Sequence, residues 1–89
     1  MSAVVRLRPT GLSWKELDGE VVLLDLASSL YFSAKGVGAL LVGRLATGAT
    51  PEELVAAVVE AYGIDPERAA ADVEAFVTQL RDRGLLDAP

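Results

Sequence analysis

At Ala34 the hydrophobic pattern of this chain changes period from two to about 3.6, and that division most constrains what it can fold into. Before it, "LSWKEL" (12–17) and "EVVLLDL" (20–26) are rich in strand formers, and Asp18-Gly19 between them is a strong two-residue hairpin signal. "ASS" then turns the chain into a third short strand, "LYFS" (30–33). Three consecutive strands with tight turns make an antiparallel meander in the order 1-2-3, which leaves the third strand on an edge.

After Ala34 the pattern predicts three helices. Ser33 is the expected N-cap of the first, whose Val37, Leu40, Leu41 and Leu45 share a face and whose stop is Gly48. Gly36, Gly38 and Gly43 weaken it by about 1 kcal/mol each relative to alanine, a cost that close packing would offset. The second helix has Thr50 as cap, Pro51 at its first position and Glu53 completing a capping box. Its stripe is Leu54, Val55, Val58, Ala61 and Tyr62, and Gly63 ends it. The third repeats the grammar, with Asp65 as cap, Pro66 next, and a stripe of Ala69, Ala70, Val73, Phe76, Val77 and Leu80. Gly84 stops it, and Leu85-Leu86 are expected to fold back onto the core. The predicted class is α+β, a three-stranded meander followed by three helices. At 89 residues the chain is expected to form a single domain over 1–89.

Composition closes many functional routes. The chain contains no cysteine and no histidine. That removes thiolate nucleophiles, the commonest general base and the commonest metal ligands. No carboxylate pair stands out: Glu67, Asp72 and Glu74 read as the solvent side of the third helix, and Glu52-Glu53 suit a helix N-terminus. Ser28 and Ser29 lack a base and read as turn residues. The expectation is a protein with no catalytic residues, no cofactor and no metal. The longest uncharged apolar stretch, "GVGALLVG", is too short to span a bilayer, and Arg6 and Arg8 interrupt any signal-peptide core. No membrane partner and a cytoplasmic location are therefore expected. The same stretch fits neither phosphate-binding pattern. Leu41 stands where a dinucleotide fingerprint needs glycine, and Arg44-Leu45 stand where a phosphate loop needs lysine and a hydroxyl residue.

Two helices joined by "GID" beside a β-meander suggest a winged helix-turn-helix, so nucleic acid must be weighed. Residues 1–45 carry a net charge of +1 and residues 46–89 a net −6. The recognition helix would be 66–83, with Glu67, Asp72, Glu74 and Asp82 against Arg68, Arg81 and Arg83. A net acidic reading helix fits a phosphate backbone badly, and no nucleic-acid partner is expected.

Tyr31 and Phe32 are two of only five aromatic residues. Adjacent in a strand, they point to opposite faces. Phe32 with Leu30 is expected to enter the core, leaving Tyr31 on the other face. The bland reading of Tyr31 is a half-buried sheet residue. The sharper one makes the open edge a rail onto which a peptide adds as a fourth strand.

"WKELDGEVVLLDLASSLYFSAKGVGALL", "GATPEELVAAVVEAYGID" and "AAADVEAFVTQLRDRGLL" together resemble the PqqD-like family, the precursor-recognition elements of ribosomally made, modified peptides. The resemblance covers about residues 12–86 and is nearest to the free-standing version found in lasso-peptide gene clusters. It implies a winged helix-turn-helix-like fold and a non-catalytic adaptor that binds the leader region of a precursor peptide. In such proteins the leader lies against the third strand and third helix. By position that implicates Leu30, Tyr31 and Phe32, with Arg68, Ala69, Asp72, Val73 and Phe76 from the helix. Arg68 and Asp72, one turn apart, would pair with each other or orient the leader. The adaptor would present the precursor to a leader peptidase, a transglutaminase-like cysteine protease, and the peptide would then reach an ATP-dependent macrocyclase. The alternatives are a PqqD-type carrier for a radical enzyme and a small winged-helix DNA-binding regulator.

Overall fold

The hairpin forms where Asp18-Gly19 places it. Both residues take positive φ, 54° and 80°, the left-handed pair that matches the twist of two flanking strands. A computed structural model describes residues 3–87, so the expected bounds at 1 and 89 lie outside the described residues. The elements are β1 (Leu12–Leu17), β2 (Glu20–Asp25), β3 (Leu30–Lys35), α1 (Val37–Thr47), α2 (Pro51–Tyr62) and α3 (Pro66–Asp82). The sheet is antiparallel in the order β1-β2-β3, as expected, with β3 on an edge.

Two boundaries differ from expectation. β3 continues two residues past Ser33, because Ala34 pairs with Val21 and Lys35 with Glu20, matching the whole length of β2. Ser33 is therefore a strand residue rather than a helix cap. α1 starts after Gly36, which has a φ of 56° and makes no side-chain cap. β2 ends at Asp25, one residue early. There the Asp25 carboxylate accepts the Ala27 N–H at 3.0 Å and its carbonyl accepts the Ser29 N–H at 2.8 Å, so the chain turns.

The helix grammar holds. Thr50 and Glu53 form the reciprocal capping box, Asp65 accepts the Glu67 N–H at 3.2 Å, and Gly63 ends α2 in the left-handed region. Beyond Gly84 the Leu85 N–H returns to the Leu80 carbonyl at 3.0 Å, and Leu85 is buried as expected. The core joins Val21, Leu23, Phe32 and Ala34 of the sheet to Leu41, Val42 and Leu45 of α1. Leu54 and Val58 of α2 and Ala69, Val73, Val77 and Leu80 of α3 complete it. Ala61, Tyr62 and Ala70, placed in apolar stripes by periodicity, are exposed, while Ala57 is buried in their stead. Leu30 is also displaced from expectation. It shares a face with Phe32 but is 69% exposed, because it begins β3 and overhangs the helix layer.

The N-terminal segment, unassigned by the sequence pattern, is tied in by isolated bridges. Val5 pairs with Ala49 and Leu7 with Leu86. Arg8 extends this clamp, donating from Nη1 to the Gly84 carbonyl at 2.9 Å and from Nη2 to the Asp25 carboxylate at 3.1 Å. The end of α3 is thereby fixed against the end of β2. No helix among the described residues is long and apolar enough to cross a membrane.

Candidate functional site

The open edge of β3 can be assigned atom by atom from register. A two-residue hairpin makes Leu17 and Glu20 a hydrogen-bonded pair, and antiparallel pairing then alternates. Val22 and Leu24 of β2 therefore turn their N–H and C=O groups toward β1. Val21, Leu23 and Asp25 turn theirs toward Ala34, Phe32 and Leu30. The main-chain groups of Tyr31, Ser33 and Lys35 are left pointing off the sheet. Three residues thus offer alternate donors and acceptors along one unpaired edge.

The neighbouring wall is α3. Phe76 meets Phe32 edge to face, with ring centroids 5.9 Å apart and planes inclined by 64°. That approach depends on Gly38 in α1, where a Cβ would lie 3.0 Å from both the Ala34 Cβ and the Phe76 ring. At the other end of the groove the Arg83 guanidinium sits 5.0 Å from the centre of the Phe32 ring. Arg83, Leu30, Tyr31, Phe32 and Asp25 line a hollow of about 120 Å³ there. α3 thus runs antiparallel to β3, with Arg83 beside the start of the strand and Phe76 beside its middle.

The structure divides the sequence-predicted site. Phe32 and Phe76 touch and form its floor. Tyr31 is 69% exposed on the opposite face of the sheet from Phe32, next to Leu24 across the ladder. Leu30 is equally exposed at the mouth of the hollow. Arg68 and Asp72 are exposed on α3, and no ion pair joins them. Ala69 and Val73 are buried core residues, so their side chains shape the helix seat rather than the surface. Sequence reasoning passed over Arg83, Ser33 and Lys35. Arg83 follows Phe76 by seven residues and so returns to the same flank, a signal that was present in the spacing.

The electrostatics are local. Burial pushes the Asp25 carboxyl pKa up, but hydrogen bonds from the Ala27 N–H and Arg8, with the Arg8 charge, outweigh it and hold the pKa below the ordinary 3.8. Asp25 stays ionised and keeps Arg8 on the Gly84 carbonyl, which steadies the α3 terminus carrying Arg83. Among the described residues no cluster of carboxylates could hold a metal ion. What the arrangement offers a ligand is main-chain pairing beside an aromatic floor.

Comparison with known proteins gives consistent matches. The family model for coenzyme PQQ synthesis protein D (PqqD) matches residues 20–86. None of the curated proteins gives a significant match. Among solved structures, TbiB1 in complex with the TbiA(beta) leader peptide superposes with a TM-score of 0.86 at 30% identity, covering 94% of this chain and 96% of that one. Lasso peptide synthetase B1 complexed with the leader peptide superposes at 0.84 with 32% identity, covering 97% and 100%.

Proposed function

This chain belongs to the PqqD family, and we propose that it is a non-catalytic adaptor that binds the leader region of a lasso precursor peptide. The leader adds as a fourth strand on β3, antiparallel to it, and the adaptor delivers the bound precursor to a leader peptidase and then a macrocyclase. The observation that carries the reading is the open β3 edge, with the main chain of Tyr31, Ser33 and Lys35 unpaired beside the Phe32–Phe76 floor. Two solved relatives that carry leader peptides favour this client over one belonging to a radical enzyme.

The chemistry suits a disordered guest. Main-chain pairing accepts almost any sequence at about 1 kcal/mol net per hydrogen bond. Ordering the leader costs several kcal/mol, so pairing alone gives weak binding and side-chain anchors must add the rest. Leu30, Tyr31 and Phe32 surround the strand end of the groove, and Arg68, Asp72 and Phe76 border it from α3. Ala69 and Val73 hold the helix at the right distance from beneath.

The test is Ser33→Pro, which deletes one outward N–H from an edge strand, where proline is tolerated. Isothermal titration with a synthetic lasso-precursor leader peptide should give 1:1 binding to the native chain. The variant, shown folded by circular dichroism, should bind at least about fivefold more weakly, as loss of one hydrogen bond requires. Equal affinity would mean that the leader does not pair with β3.

A further inference from the structure

The flank of α3 remote from β3 forms a second groove with α2. Its volume is about 630 Å³, larger than the hollow beside Arg83. Val55 of α2 and Ala70, Val73 and Val77 of α3 make an apolar floor. Glu52 and Glu74 stand on its two rims, and Arg81 closes one end. At about 100° per residue, Glu74 lies roughly 160° around α3 from Phe76, so the two grooves use nearly opposite sides of one helix.

From Ala70 to Arg81 the floor runs about 16 Å at 1.5 Å per residue, the length of three helical turns. A helix docked there would place apolar anchors at i, i+4 and i+7. Charge selects among such helices. Residues 46–89 carry a net −6, and Glu67 follows one turn beyond Ala70 on the same side as Glu74. Neither Glu67 nor Glu74 is held in an ion pair among the described residues. An acidic partner would meet like charge at Glu67 and Glu74 along the α3 rim; a basic one would find that rim complementary.

We propose that the α2–α3 groove docks a basic amphipathic helix of a partner protein, and that it does so while the β3 edge remains free for a peptide. The two sides of α3 then bring guest and partner together on one small molecule.

The probe is an 18-residue amphipathic helix of leucine and lysine, with a scrambled peptide of the same composition as control, titrated into ¹⁵N-labelled full chain. Shifts should concentrate on residues 51–55 and 70–81, and the scrambled peptide should bind at least about tenfold more weakly. Glu74→Lys, which reverses one rim charge, and Thr78→Arg, which fills the groove, should each weaken the amphipathic peptide at least about tenfold. Both substitute exposed residues, and both should leave leader affinity unchanged, which separates this surface from the β3 edge. The proposal is overturned if the two peptides bind equally, if either variant binds like the native chain, or if the shifts fall on residues 31–35. It is also overturned if the native chain self-associates and Thr78→Arg abolishes that association, since the occupant is then a second copy.

Discussion

Tyr31 and Phe76 flank the same strand but differ in what their removal should do. Tyr31 is 69% exposed, so Tyr31→Ala should change folding stability by no more than about 0.5 kcal/mol. If Tyr31 is an anchor, the same change should weaken leader binding by about 1–3 kcal/mol. Phe76 packs on Phe32 and borders the core, so Phe76→Ala should lower unfolding stability by about 3 kcal/mol. Chemical denaturation read beside calorimetric titration separates the two effects; a strongly destabilised Tyr31→Ala would contradict its placement. Asp25 gives a pH dependence. Its pKa in the fold lies below the ordinary 3.8, so its ionised form stabilises the native state above that value. The contribution disappears as pH falls from about 3.8 through the lower native pKa. Asp25→Asn should therefore be less stable than the native chain near neutrality, with the gap closing in that acid window. Thermal unfolding across pH 2 to about 7 measures it, and a gap independent of pH would mean the Arg8 contact is not electrostatic.

At the scale of elements, α1 carries two glycines that should behave oppositely. Around Gly43 nothing lies within 4 Å of an added Cβ, so Gly43→Ala should stabilise by about 1 kcal/mol through helix propensity. At Gly38 the same methyl meets Ala34 and Phe76 at 3.0 Å, so Gly38→Ala should lose that gain and push α3 away from β3. Urea midpoints at constant slope test the pair, and equal stabilisation by both would contradict the close approach. The same helix shows what could and could not be read in advance. Its apolar face, the capping box at Thr50 and the Asp65 cap are local patterns and appeared in the sequence. Its start did not, because the length of β3 is set by pairing with β2 through Ala34–Val21 and Lys35–Glu20, a non-local cause. The candidate site divides in the same way. Strand alternation separated Tyr31 from Phe32, but Leu30 came out exposed and Ala69 and Val73 buried, since burial depends on where the helices end above the sheet. Arg83 was missed because a charged residue at a helix end carries no apolar signal, and only its seven-residue spacing from Phe76 marks its flank.

As a whole molecule the described residues measure 37 × 33 × 19 Å, the thickness of one sheet and one helix layer. Nothing among them covers the β3 edge, and the clamp of residues 5–8 pairs instead with Ala49 and Leu86. Edge strands are usually blunted, because unpaired main chain invites association. This one carries Lys35 as its sole charge and leaves three residues unpaired beside an aromatic floor. That the edge is kept for a leader peptide is the central claim, and amide hydrogen exchange of the free and leader-bound protein tests it most directly. Phe32 and Ala34, already paired to β2, should be protected in both states, whereas Tyr31, Ser33 and Lys35 should become protected only when the leader is bound. Protection gained instead at the Asp18-Gly19 hairpin or along α2, with Tyr31, Ser33 and Lys35 exchanging as before, would contradict it.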